Sequence, residues 1–262
     1  MVFPADDEVA RDLAEAAGQR LLAIREQAQA AAADDRRRAG DLGAQEFLAA
    51  ELAKVRPADA VLSEEAADDL ARLDADRVWI IDPLDGTREF GEPGRSDWAV
   101  HVALWERGDL TTGGGDLVAG AVALPAQGKV LSTAEPPPTP KTPADGVPLR
   151  LVVSRSRPPD FVKVLAEHLG AELVPLGSAG AKTAAVITGD VDVYVHSGGQ
   201  YEWDSAAPVA VARAAGLHTS RIDGSPLEYN TKQPWVPDIL ICPVSLASLL
   251  LGAISAVRQD NE

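Results

Sequence analysis

A single cysteine, Cys242, occurs in a chain of 262 residues. One thiol cannot close an internal disulfide and cannot build a cysteine-based zinc site. Histidine is nearly as scarce. His101, His168, His196 and His218 show no H-x-x-x-H or similar spacing and read as structural or surface residues. No apolar run approaches the roughly 18–20 residues of a membrane span. The opening segment, Met1 to Glu8, lacks the basic-then-apolar order of a signal peptide. A soluble protein of a reducing, cytoplasmic compartment is therefore expected. Positive charge is also short: 24 Lys plus Arg face 40 Asp plus Glu, a formal net charge of −16. A nucleic-acid binder needs a basic face for phosphates, and so does a protein that docks on anionic lipid. Neither partner is expected. The abundant acid either keeps the chain soluble or holds cations.

Regular structure is legible in the spacing. Val9, Leu13, Ala17, Leu21, Ile24 and Ala28 recur every three or four residues and predict an amphipathic helix from Asp6 to about Ala33. Leu48, Leu52 and Val55 predict a second over about 42–55. Residues 34–40 between them read as a polar loop, with Arg36, Arg37 and Arg38 on a solvated turn. Strands are predicted at 59–62, at Val78–Ile81 ending on Asp82, and at 98–105. A glycine turn at 113–115 leads to strands at 117–124 and 129–133, an antiparallel meander. Prolines 136, 137, 138, 140 and 143 fix φ and remove donors, as in a stiff linker. Beyond it, strands at 149–154, 172–176, 191–195 and 239–242 alternate with helices at 159–169, 179–188, 204–215 and 244–258. That alternation predicts an α/β layer architecture. The chain thus divides into an N-terminal α+β sub-domain (1–133), a Pro-rich linker (134–148) and a C-terminal α/β sub-domain (149–262). Trp79, Trp98 and Trp105 fall in strand runs and read as core, and Cys242 as a small buried hydrophobe.

The chemically informative segment is Asp82-Pro83-Leu84-Asp85-Gly86-Thr87. A buried strand delivers Asp82, Pro83 stops its ladder, and Gly86 permits a tight turn. Asp82 and Asp85 can then face one point. The N–H groups of Gly86, Thr87 and Arg88 open the next turn, where an anion is favoured. Carboxylates beside an anion-binding turn are what Mg²⁺ bridging to a phosphate requires. Ser63-Glu64-Glu65 also follows a strand and, alone, reads as a solvated loop. Trp203-Asp204 opens a helix, where Asp204 alone reads as an N-cap.

Together these segments resemble the signatures of the inositol monophosphatase superfamily of Mg²⁺-dependent, lithium-sensitive phosphatases. Asp82–Thr87 resembles D-P-[IL]-D-G-T, Trp203–Ala207 resembles W-D-x-A-A, and Ser63–Glu65 resembles [GS]-E-E, all in the family's order. Within it, Val61–Glu65, Thr87–Phe90 and Gly177–Lys182 are most similar to CysQ-type 3′(2′),5′-bisphosphate nucleotidases, in their mycobacterial or actinobacterial form. Asp41 stands where the family carries an acidic residue upstream of the first glutamate. Residues 197–202 contain no Lys or Arg, unlike many eukaryotic nucleotidases, so base and 5′-phosphate contacts are not carried over.

The resemblance implies a layered α/β/α/β/α fold, as in inositol monophosphatase and fructose-1,6-bisphosphatase. It implies two or three Mg²⁺ ions held by Glu64, Asp82, Asp85, Asp204 and the carbonyl of Leu84. Thr87, hydrogen-bonded to Asp41, would orient and help deprotonate the attacking water, with Glu64 also in the catalytic set. Gly86, Thr87, Arg88, Ser178, Lys182, Asp85 and Asp204 would meet the substrate, while Glu65 and Trp203 support the ligands from behind. For Lys182 an exposed helical lysine is the alternative. The implied reaction is loss of the 3′-phosphate from 3′-phosphoadenosine 5′-phosphate beside sulfate assimilation, in a cytoplasmic homodimer. Activity on inositol 1-phosphate or fructose 1,6-bisphosphate stays open, as does a non-catalytic metal-binding homologue. A haloacid-dehalogenase-type site fails because position 83, two before Asp85, is Pro. An EF-hand lacks its regularly spaced oxygen ligands, and no G-x-x-x-x-G-K-[ST] phosphate loop is present.

Overall fold

The computed structural model describes residues 4–108, 114–144, 146–156 and 158–259. Its first half contains α1 (Asp6–Gln27), α2 (Ala33–Val55), β1 (Ala60–Ser63), β2 (Arg77–Asp85), α3 (Thr87–Gly91), β3 (Ala99–Arg107), β4 (Gly115–Leu124) and β5 (Lys129–Ser132). Its second contains β6 (Arg150–Ser154), α4 (Asp160–Leu169), β7 (Glu172–Leu176), α5 (Ala179–Ile187), β8 (Val193–Tyr201), α6 (Glu202–Ala214), β9 (Leu217–Ser220), β10 (Trp235–Pro243) and α7 (Val244–Gln259). The first sheet runs β1-β2-β3-β4-β5, with β1 parallel to β2 and the rest antiparallel. The second runs β7-β6-β8-β10-β9, with β6 parallel to both β7 and β8 and the remaining pairs antiparallel.

The layers follow from which face each side chain buries. Along β2, Trp79 and Ile81 pack against Leu13, Leu21, Leu48 and Leu52 of α1 and α2. The intervening Val78 and Ile80 face the opposite way, toward Val186 of α5 and Val209 of α6. A strand covered on both faces reads as a continuous apolar run, which is why 78–81 shows no alternation. The same central cluster includes Val152, Tyr194 and Ile241 of the second sheet. Leu165 of α4 and Leu250 and Ile254 of α7 cover that sheet's outer face. The order is therefore α/β/α/β/α, with α5 and α6 sandwiched between the sheets. Cys242 is buried in the outer cluster, and Trp79, Trp98 and Trp105 are core residues.

Several local expectations are corrected. The first helix stops at Gln27, and residues 34–40 are the beginning of α2 rather than a polar loop. Arg36 is the reason. It is only 6% exposed, and its guanidinium donates to the carbonyls of Ala28, Gln29, Ala31 and Gly91. A buried cation thus satisfies the carbonyls left over where α1 ends. Arg37 pairs with Asp34, and only Arg38 stands exposed as expected. Pro83 does not stop β2, which continues to Asp85. The pairing with β3 shifts instead, from Asp82 opposite His101 to Asp85 opposite Ala99. The extra residue is a β-bulge, the place where a proline's missing N–H is tolerated.

Strand β9 carried no periodicity signal, and β8 and β10 each run several residues longer than predicted. Of the expected glycine turn, Gly113 lies outside the described residues, as do Met1 to Phe3 of the opening segment. Residues 134–144 and 146–149 carry neither helix nor strand. Among the described residues no helix is long and apolar enough to cross a membrane.

Candidate active site

Three carboxylates from distant parts of the chain converge. Asp82 and Asp85 flank the bulge at the end of β2, and Asp204 lies on the first turn of α6. One oxygen of each lies within 4.8 Å of the others. Asp82 is 1% exposed. Its Oδ1 accepts from the Leu84 N–H at 3.0 Å, while its buried Oδ2 has no hydrogen-bond partner. Burial, and then the charges of Glu64, Asp85 and Asp204, push this carboxyl well above its ordinary range.

Asp85 is satisfied from the opposite side. It accepts from the Ser178 hydroxyl and from the N–H groups of Ala179 (3.1 Å) and Gly180 (2.6 Å), at the N-terminus of α5. His101 Nε2 stands 3.2 Å away. Burial pushes Asp85 upward, but His101, Lys182 and Ser178 outweigh it and hold the carboxyl below its usual range. Asp204 is not the N-cap. It is the third residue of α6, and its Oδ2 accepts from the Tyr201 N–H at 2.7 Å, half of a capping box. Burial and the neighbouring Asp85 push it up to about 6.

This donor set fits a hard divalent cation. The ligands are all oxygen, they are too close to remain ionised together, and one buried oxygen lacks a partner. Glu64 follows β1 and is exposed. It lies outside the group of three, yet partial desolvation of its carboxyl where it approaches the site, and then the charges of Asp204 and Glu65, raise it to about 7. The Leu84 carbonyl accepts from Thr87 Oγ1 at 3.1 Å.

Thr87 and Asp41 are brought together as expected from the resemblance, with Thr87 Oγ1 and Asp41 Oδ1 3.4 Å apart. Helix α2 carries Asp41 over the turn into α3. Burial, and then the charge of Glu65, push Asp41 up to about 6. The turn itself depends on Gly86, whose φ is +84°. A Cβ there would meet Ser178 Cβ at 3.0 Å and the Asp97 carbonyl at 3.2 Å. Arg88 is exposed at the head of α3, and Glu65 is exposed beside Glu64.

Ser178, with φ +51°, caps α5 by accepting from the Ala181 N–H at 2.9 Å. Lys182 is not an exposed helical lysine. It is buried, donates to the Ser178 carbonyl at 2.7 Å and lies over the Tyr194 ring. Burial lowers its proton affinity, against the charges of Asp85 and Asp204. Trp203 stacks its indole on Tyr201 with ring centroids 4.5 Å apart.

His101 is more than a core histidine. Fully buried, it places Nδ1 3.0 Å from the Trp203 carbonyl and Nε2 3.2 Å from Asp85, so it links one carboxylate of the group to the residue next to another. A Cβ on Gly180 would come within 2.1 Å of that Nε2, so only glycine lets α5 approach. The available signal was a lone polar residue in the otherwise apolar run 99–104. Asp97 was also missed: it accepts from the Gly177 N–H at 2.7 Å and steadies the loop leading into α5.

Residues 5–259 match the model of the inositol monophosphatase family. A Mycobacterium leprae protein named 3′-phosphoadenosine 5′-phosphate phosphatase is 51% identical over 261 residues, covering 97% of this chain and 95% of its own. A Mycobacterium tuberculosis protein of the same name is 55% identical over 219 residues, 83% of this chain and 81% of its own. Among solved structures, CysQ from Bacteroides thetaiotaomicron has a TM-score of 0.77 at 27% identity, over 91% of this chain and 97% of that one.

Proposed function

The chain belongs to the inositol monophosphatase family, and we propose that it hydrolyses 3′-phosphoadenosine 5′-phosphate to AMP and phosphate with Mg²⁺. The observation that carries this reading is the group Asp82, Asp85 and Asp204, with a partnerless Asp82 oxygen, beside the Thr87–Asp41 pair. The names of the mycobacterial relatives, at 51% and 55% identity, support the substrate.

Glu64, Asp82, Asp85, Asp204 and the Leu84 carbonyl would hold two or three Mg²⁺ ions. Bound there, Mg²⁺ cancels the carboxylate charge and draws electron density from the phosphate. The chain's own groups do the rest. The Thr87 hydroxyl, whose one proton lies between the Leu84 carbonyl and Asp41 Oδ1, would turn that proton to Asp41 when the carbonyl holds a cation, and would then accept from the attacking water. Asp41 binds protons more tightly than an ordinary aspartate, as suits a general base working near neutral pH. The Gly86 and Thr87 N–H groups hold the phosphoryl group as it leaves. Asp204 lies on the side of the departing 3′-oxygen. Arg88, exposed at the head of α3, offers a guanidinium to the substrate. Lys182 and Ser178 keep Asp85 ionised from behind. A cytoplasmic homodimer working beside sulfate assimilation completes the reading.

The test is kcat/KM on 3′-phosphoadenosine 5′-phosphate, inositol 1-phosphate and fructose 1,6-bisphosphate side by side, with Mg²⁺ and with chelator. The nucleotide is expected to be the best substrate, and chelator to stop turnover. A nucleotide that ranked last would overturn the substrate. Turnover undiminished by chelator would overturn the metal.

A further inference from the structure

Glu202 opens α6 two residues before Asp204 and is fully buried. A buried carboxylate is costly unless it is hydrogen-bonded. This one takes its partners from a single loop. Oε2 accepts from the Asn230 N–H at 2.7 Å, and Oε1 accepts from the Thr231 N–H at 2.9 Å and the Thr231 hydroxyl at 2.8 Å. The Glu202 N–H donates to the Pro234 carbonyl at 3.0 Å. One residue beyond Asp204, Ser205 Oγ accepts from the Tyr229 hydroxyl at 3.1 Å. The loop is thus fastened to both sides of the turn that carries Asp204.

The same two residues, Asn230 and Thr231, are also fastened to the first half of the chain. Arg72, also buried, donates to Asn230 Oδ1 at 2.7 Å and to the Thr231 carbonyl at 2.9 Å. The Asp68 carboxylate holds the remaining edge of the Arg72 guanidinium at 2.7 and 2.9 Å. Asn230 sits at φ +58°, in the left-handed region that asparagine adopts more readily than other residues with a side chain. The loop therefore braces the first turn of α6 against the segment after β1. A brace is needed there, because Asp204 is repelled by the carboxylates it must approach.

We propose that Glu202 is a positioning residue that latches the 229–234 loop onto the first turn of α6 and so holds Asp204 at cation-binding distance from Asp82 and Asp85. The inference rests on the metal-dependent reading of that cluster. Glu202 faces the loop and has no part in holding metal or substrate.

The experiment measures Mn²⁺ affinity in the nucleotide-free protein, from the loss of the free-ion EPR signal. Glu202→Gln keeps the size of the side chain but turns an amide N–H₂ toward backbone donors. It is expected to weaken Mn²⁺ binding about tenfold, in the range seen when groups supporting metal ligands are altered. Leu250→Ala, in the outer cluster away from the site, controls for general loss of stability and is expected to stay within twofold of wild type. Thr231→Val removes the hydroxyl whose one proton is shared between Glu202 Oε1 and the Gln233 carbonyl, and decides the matter if Glu202→Gln does not fold. Its expected loss is about threefold, a lesser share of the same support. Mn²⁺ affinity within twofold of wild type in the folded Glu202 and Thr231 variants would overturn the proposal, as would an equal loss in Leu250→Ala. Wild-type turnover of 3′-phosphoadenosine 5′-phosphate, measured separately, judges the functional reading. If that fails while Glu202→Gln still loses Mn²⁺, the brace stands without the assigned substrate.

Discussion

Removing one charge from the site should make the metal-free protein more stable while destroying its activity. Asp204→Asn is the cleanest way to do so, because asparagine's side-chain oxygen can still accept from the Tyr201 N–H. Two routes give the magnitude. Asp204 and Asp85 oxygens lie within 4.8 Å, so an ionised pair costs roughly 3–4 kcal/mol at an effective dielectric of about 20. The shift of the Asp204 carboxyl from 3.8 to about 6 by burial and Asp85, which includes that same repulsion, is equivalent to about 3 kcal/mol. The sign follows from proton linkage. The folded chain keeps a proton that the unfolded chain has already released, so stability falls as pH rises from about 4 through about 6 and stays low above.

Urea unfolding in chelator, followed by tryptophan fluorescence, should therefore give wild type and Asp204→Asn equal stability near pH 4. By pH 8 the variant should lead by about 2–3 kcal/mol. Mg²⁺ should reverse the order, since at a thousandfold excess over its Kd it adds about 4.1 kcal/mol to a protein that binds it, and phosphate release by the variant should vanish. An Asp204→Asn protein that is less stable than wild type at pH 8 in chelator would refute the reasoning. So would a difference that does not change with pH.

Thr87→Ala should lower kcat by about 10²–10⁴, the span of general acid–base catalysis, without shifting the urea midpoint. The Thr87 hydroxyl touches only the Leu84 carbonyl and Asp41 among the hydrogen bonds of the described residues, and a kcat within tenfold of wild type would remove it from the mechanism. Arg36→Met should cost about 3 kcal/mol of stability, because buried carbonyls lose a charged donor, while turnover per folded molecule is kept. Arg38→Met, on the exposed neighbour, should change stability by less than about 0.5 kcal/mol. Equal effects from the two would restore the solvated turn that the sequence suggested.

Asp82–Thr87 shows how much chemistry a local segment can carry. A buried strand, a proline, a glycine and paired carboxylates lie within a few residues, so the turn and its converging carboxylates are legible from covalent neighbours alone. The identity of the far partners was legible only through resemblance, since Asp41, Glu64 and Asp204 taken singly read as ordinary surface or cap residues. Arg36 was read as exposed because arginine usually is, and nothing nearby in sequence announces the Gly91 carbonyl that accepts from it. His101 and Glu202 were missed for the same reason. Each is meaningful through a partner 16 to 102 residues away, and hydrophobic periodicity carries no information about polar partners.

The helices, most strands, the apolar faces and the acidic excess were thus determined by the sequence itself, because they arise from local propensity and from the period of burial. Tertiary structure alone decided what the acid does. It places three carboxylates within 4.8 Å, turns the end of β2 with a bulge rather than a stop, and fixes the first turn of α6 through a loop that begins more than twenty residues later. Charge becomes chemistry only at short range, and short range between distant residues is what folding creates.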